Sequence, residues 1–105
     1  LQQRRQDQQQ FLQNMTGLSA LLTPTMPTPP IPLDEVDQGS TPGYFTRAGN
    51  YLGLCGLSVP MGLTGDGLPG GLQILGRGSE EGMTLRIGAA FEQKAGPFLH
   101  PRFDR

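Results

Sequence analysis

Polar and apolar positions divide the chain into segments with different periods. Residues 1–14 are almost wholly polar, a glutamine-rich run carrying Arg4, Arg5 and Asp7, in which, after Leu1, the apolar residues are Phe11 and Leu12, with Met15 next. Phe11 and Met15 stand four apart, one helical turn, which predicts a helix whose first half is solvated, with a frayed start as the alternative. Residues 20–23 form a short apolar run of strand length, closed by Pro24. The text TPTMPTPPIP that follows cannot hold a helix, because its prolines lack amide donors and bias the preceding residues to extended geometry.

A second helix is expected from Ser40-Thr41-Pro42, a hydroxyl N-cap followed by proline at the first helical position. Tyr44, Phe45, Ala48, Tyr51 and Leu52 would give it an apolar face, Thr46 and Asn50 would share another face, and Gly53 and Gly56 would end it. Residues 57–64 alternate loosely and read as a strand in which Pro60 demands an edge position or a bulge. Residues 71–76 read as another strand, with Asp66-Gly67 between the two as a type I′ hairpin signal. In the last helix Ser79 is expected to cap, Glu80 and Glu81 to occupy the positive first turn, and Met83, Ile87, Ala90 and Phe91 to form one stripe. Gly96-Pro97 stops it. The organisation is a partly solvated helical segment over 1–18, a body over 19–96 and an irregular tail over 97–105.

The run GDGLPGG contains the spacing G-x-G-x-x-G at Gly65, Gly67 and Gly70. A dinucleotide site needs a helix opening on the third glycine and an acidic residue about twenty positions further on. A β-run follows instead, and Pro69 removes an amide where phosphate cradling uses free ones, so the glycines are expected to connect two strands.

Composition narrows the classes. A chain of 105 residues with 35% hydrophobic residues, 16 glycines and 10 prolines allows one small body with a thin core. A net charge of −1 without a basic stripe argues against nucleic acid as a partner, and no apolar run approaches the roughly 18 residues of a membrane span. The single cysteine, Cys55, excludes an internal disulfide and suits a reducing cytoplasm. With one histidine, His100, the chain offers no metal constellation, and no cofactor is expected. Lys94 reads as a solvated cation at a helix end, Cys55 as a small buried hydrophobe, and Asp34, Glu35 and Asp37 as a solvated acidic loop. No residue has the surroundings of a catalytic nucleophile or base. The chain opens on Leu1 rather than methionine and is expected to be a processed product or a fragment.

Four motifs occur in order: Ala20-Leu-Leu-Thr-Pro-Thr25 before proline-rich sequence, Asn50-x-x-Gly53, Leu57-Ser-Val-Pro60-x-Gly62, and Gly67-Leu-Pro69-x-Gly71-Leu-Gln73-x-x-Gly76. Together they resemble the C-terminal portion of amidase signature enzymes, close in texture to the amidotransferase A-subunit branch and the allophanate or biuret hydrolase branches. The resemblance covers about residues 11–95. It implies an α/β fold, a mixed β-sheet flanked by helices, of which this chain would be the C-terminal segment. It also implies amide C–N hydrolysis by a serine nucleophile, a second serine on a cis peptide and a lysine. In the family these lie in an N-terminal Gly/Ser-rich signature, which neither Gly39-Ser40 nor Gly78-Ser79 continues, so no catalytic residue is assigned here. The family commonly has Gly-Leu-Pro-Ala where Gly53-Leu-Cys55-Gly56 stands, and an aspartate where Ser19 stands.

What the resemblance leaves to this segment is sheet strands and part of an acyl pocket wall, with Thr25, Met26 and Asn50 as the substrate-binding candidates. Turn and helix-cap hydrogen bonding is their alternative role. The implied partners are a small-molecule amide and an N-terminal amidase half, or a second copy of the chain. A binding module that docks Pro24-x-x-Pro27 or Pro27-x-x-Pro30 on an aromatic groove is the rival reading.

Overall fold

The computed structural model describes residues 1–37 and 43–96. Its elements are helix α1 (Gln2–Asn14), strand β1 (Ala20–Pro24), a 3₁₀ turn (Leu33–Glu35), helix α2 (Arg47–Leu52), strands β2 (Cys55–Leu63) and β3 (Pro69–Gly76), and helix α3 (Glu81–Ala95). The three strands form an antiparallel sheet in the order β1-β3-β2. The chain is thus α/β, as the resemblance implies.

The strand period explains the layering. Alternate residues face opposite sides, and the register sets Leu22, Leu57 and Ile74 abreast on one face and Leu21, Gly56 and Leu75 abreast on the other. α3 covers the first face. A Cβ on Gly88 would stand 2.6 Å from Leu57 Cδ2 and 3.4 Å from Val59 Cγ1, so the helix lies against β2 at a distance only glycine tolerates without repacking. α2 covers the second face, where a Cβ on Gly49 would stand 3.2 Å from Leu75 Cδ2. β3 is central and covered on both sides, so Gln73, Ile74, Leu75 and Gly76 are buried in succession. Pro60 lies on an edge strand beside a register shift between Pro60 and Gly62, so its missing amide interrupts no ladder.

Several local expectations are corrected. The β2–β3 connection is not type I′. The Gly67 amide donates to Thr64 O (2.9 Å), the Thr64 amide to Leu68 O (2.7 Å), and only Gly67 takes a positive φ, of 80°. This is the three-residue loop in which a left-handed glycine closes a turn, so Asp66 needs no left-handed conformation. Ser79 is not an N-cap. It has a φ of 69° inside a turn closed by the Glu80 amide on Arg77 O (3.0 Å), and α3 starts at Glu81. The inward residues of α3 are Thr84 and Gly88, while Met83 and Ala90 are exposed and Ile87 and Phe91 half-buried. Close packing on the sheet selects small side chains there, and the large apolar ones flank them.

The expected start of the second helix at residues 40–42 and the tail with His100 lie outside the described residues. α2 itself begins at Arg47, after a turn in which Gly43 O accepts from the Thr46 and Arg47 amides. Its inward residue is Gly49, and Tyr44 and Tyr51 are exposed, again because close approach to β3 excludes large groups. Gly53 ends α2 in the left-handed conformation at φ 69°, while Gly56 belongs to β2.

Candidate functional site

The sheet face beneath α2 carries polar side chains beside Leu21 and Leu75, where the face under α3 is apolar. Strand alternation that puts Leu57, Val59 and Ile74 under α3 places Thr23, Thr25, Ser58 and Gln73 on the opposite side. On that side lies a cavity of about 330 Å³, lined by Thr25, Ser58 and Gln73 and closed from above by Thr46, Gly49 and Asn50 of the α2 region. The Thr25 amide continues the β1–β3 ladder by donating to Gly71 O (3.0 Å), which aims the Thr25 hydroxyl at Ser58. The two hydroxyl oxygens are 2.7 Å apart. Gly71 lies under both. A Cβ there would be 3.1 Å from each oxygen, so the pair depends on glycine at that position.

Gln73 anchors the floor. Its side-chain nitrogen donates to Thr23 Oγ1 (2.9 Å) and to the main-chain oxygen of Phe45 (2.7 Å), tying the centre of the sheet to the segment that enters α2. None of the residues lining this cavity is charged. It can hold a neutral polar group by hydrogen bonds, and it contains no group that would draw a proton from a hydroxyl at neutral pH.

Of the three residues singled out from the sequence, Thr25 and Asn50 border this cavity, and Met26 does not. Met26 lines a separate, larger groove of about 750 Å³ with Pro24, Pro27, Met61 and Pro69, walled by the proline-rich crossing. Strand parity separates them: neighbouring residues 25 and 26 leave the end of β1 on opposite faces. Ser58 and Gln73 are not distinguished by the sequence alone. Their motifs, Leu57-Ser-Val-Pro60 and Leu72-Gln73, read as strand text, and only the pairing of strands far apart in sequence brings them to one face.

Asn50 is gripped from behind. Arg4 of α1 donates from Nη2 to Asn50 O (2.8 Å) and from Nε to Tyr51 O (2.8 Å), and Gln8 adds a bond to Tyr51 O (3.1 Å). A cation on the last carbonyls of a helix complements their partial negative charge. Tyr51 in turn donates to Asp7 Oδ2 (2.6 Å), while Gln3 donates to Asp7 Oδ1 (2.9 Å). The Tyr51 bond, then the Gln3 bond, hold the Asp7 carboxyl below its ordinary pKa, and the bond to Asp7 raises that of the Tyr51 phenol. The glutamine-rich helix is therefore docked by its polar side chains.

Cys55 is half-buried. Its thiol donates to Arg77 O (3.1 Å) and lies 3.1 Å from Thr84 Oγ1, away from the cavity, on the face under α3. Among the described residues no three His, Cys, Asp or Glu side chains gather where a metal ion could sit, and no helix is long and apolar enough to cross a membrane.

Residues 1–85 match the family model described as Amidase. The chain is 42% identical over 88 residues to the glutamyl-tRNA(Gln) amidotransferase A-subunit of Acidobacterium capsulatum, a match that takes in 80% of this chain and 18% of that protein. Among solved structures, the glutamyl-tRNA(Gln) amidotransferase A-subunit of Thermotoga maritima superposes with a TM-score of 0.84 at 30% identity, over 97% of this chain and 24% of that one. An allophanate hydrolase of Kluyveromyces lactis superposes with a TM-score of 0.76, also at 30% identity, over 89% of this chain and 16% of that one. The chain thus spans about a fifth of the length of the curated relatives it matches.

Proposed function

The chain belongs to the amidase family, and from that premise we propose that it is the C-terminal part of an amidase signature hydrolase, supplying sheet strands and a wall of the acyl pocket. Its relatives are several times longer, and the serines and lysine that cleave the amide C–N bond are assigned to sequence outside these 105 residues. In the whole enzyme that serine is acylated by the amide, ammonia or an amine departs, and water releases the acid. Thr25 and Asn50 contribute to the wall from the uncharged cavity, and Met26 from the adjoining proline-lined groove.

The observation that carries this reading is the character of the cavity. Hydroxyl and carboxamide groups converge on one sheet face with no charged side chain among the lining residues, which suits holding a neutral amide and leaves the chemistry to other groups. A cytoplasmic setting is part of the reading, since the free thiol of Cys55 suits reducing surroundings.

Reconstitution tests it. The chain is mixed with a polypeptide carrying the family's Gly/Ser-rich half, and ammonia release from propanamide is followed. Hydrolysis that requires both pieces is the expected result. Turnover by the 105-residue chain alone would overturn the assignment, as would a mixture that never gains activity.

A further inference from the structure

Among the described residues, one polar atom of Gln73 has no partner, its side-chain oxygen Oε1. The residue is 6% exposed, and its amide nitrogen spends both hydrogens, one on Thr23 Oγ1 and one on the Phe45 carbonyl. A main-chain carbonyl only accepts, so the nitrogen must face Phe45 and the amide cannot be turned over. Oε1 is thereby fixed on the other side, and among the described residues it receives no hydrogen bond. No fully buried side-chain oxygen of the described residues lacks a partner, so Oε1 is not sealed in the core. It lies 3.9 Å from where a Gly56 Cβ would be, and Gly56 borders the same cavity as Gln73.

We infer that Gln73 Oε1 is the acceptor that reads an N–H of the molecule in the cavity, which makes Gln73 a specificity-determining residue. This rests on the reading of the cavity as part of the acyl pocket wall. The complementary donor is close by. In the Thr25–Ser58 pair one hydroxyl donates to the other, and the second keeps a free O–H for a ligand carbonyl. A fixed acceptor beside a free hydroxyl donor matches a primary carboxamide, which offers N–H and C=O together. A carboxylate offers only acceptors, so it would set oxygen against Oε1 and bind less well. A ligand with a methyl group in place of NH₂ would leave Oε1 unpartnered, the situation in which polar sites discriminate most strongly.

The test uses the full 105-residue chain, with amide chemical shifts of cavity residues as readout. The probes are propanamide and butanone, which differ by NH₂ against CH₃. Propanamide is expected to bind about three- to tenfold more tightly, the worth of one hydrogen bond. In Gln73→Met the two probes are expected to bind alike, whereas a merely structural role for Gln73 would weaken both equally and keep the preference. Equal binding of the two probes to the unaltered chain, which needs no variant to fold, would overturn this inference while leaving the cavity as an amide-sized site. Absence of shifts at cavity residues with either probe would overturn the pocket-wall reading along with it.

Discussion

At the scale of single residues, close backbone approach decides what is tolerated. A Cβ on Gly78 would stand 2.5 Å from the carbonyl oxygen of Gly53, a backbone atom that cannot rotate away. Gly78→Ala is expected to cost about 1–3 kcal/mol by overpacking, seen as a lower urea midpoint by circular dichroism. Gly82 in α3 meets nothing within 4 Å. Gly82→Ala should raise the midpoint slightly, by about 0.5 kcal/mol of helix propensity. The Asp7–Tyr51 bond makes a pH prediction with two signs. Asp7 titrates below its ordinary 3.8 in the folded chain, so its contribution is present above that value and is lost as pH falls through the lowered pKa. Tyr51 titrates above its ordinary 10.0, so its contribution is full below 10.0 and is lost as pH rises through the raised pKa. Tyr51→Phe removes the shared bond. A carboxyl-carbon NMR titration should then show Asp7 moving back toward its ordinary range, and an unchanged Asp7 would contradict this assignment of cause.

Among the elements, α1 is the one whose attachment is least like its composition. None of its residues within Gln2–Asn14 is buried, and it is held by polar contacts at both ends. Arg4 and Gln8 grip the last carbonyls of α2, and at the other end Arg77 donates to Met15 O (2.6 Å) and Leu18 O (2.7 Å). Met15, just past the helix, is 4% exposed and supplies the one buried apolar anchor among the described residues of this segment. Arg77→Lys keeps the charge and loses the fork that reaches both carbonyls. Loss of one charged hydrogen bond, about 1.5 kcal/mol, should speed amide exchange in the last turn of α1 by roughly tenfold, with α3 unaffected. Faster exchange everywhere would mean that Arg77 supports the whole fold and not this docking. The pairing of Phe11 with Met15 was legible in the sequence as a helical face. The docking was not, because Arg4 and Asn50 are 46 residues apart and glutamine-rich text carries no periodic signal for what it will meet.

For the molecule as a whole, the balance of buried and exposed apolar groups sets the behaviour in solution. Among the described residues only Met15, Val59, Ile74 and Leu75 are buried large apolar residues, while Leu22 on β1 is 56% exposed and Leu85 on α3 is 58% exposed. Among the described residues, β1 and β2 each present an outer edge without a strand beside it. Open edges and uncovered apolar faces favour association. The chain by itself is expected to sediment as concentration-dependent oligomers, and a monomer with a sharp cooperative transition would count against its being one part of a larger sheet. Much of this architecture was local enough to be written in the sequence. Hydrophobic period and proline placement pointed to the three strands and to α3, Pro60 to an edge position or a bulge, and Gly53 to a helix end, because each depends on residues within a turn or two of one another. The small-residue face of α3 was decided by tertiary structure, since it follows from how closely that helix approaches the sheet. So was the candidate site. Thr25, Ser58 and Gln73 are set by three different strands, and which residues face one another across them is a property of strand register, which no short stretch of the chain contains.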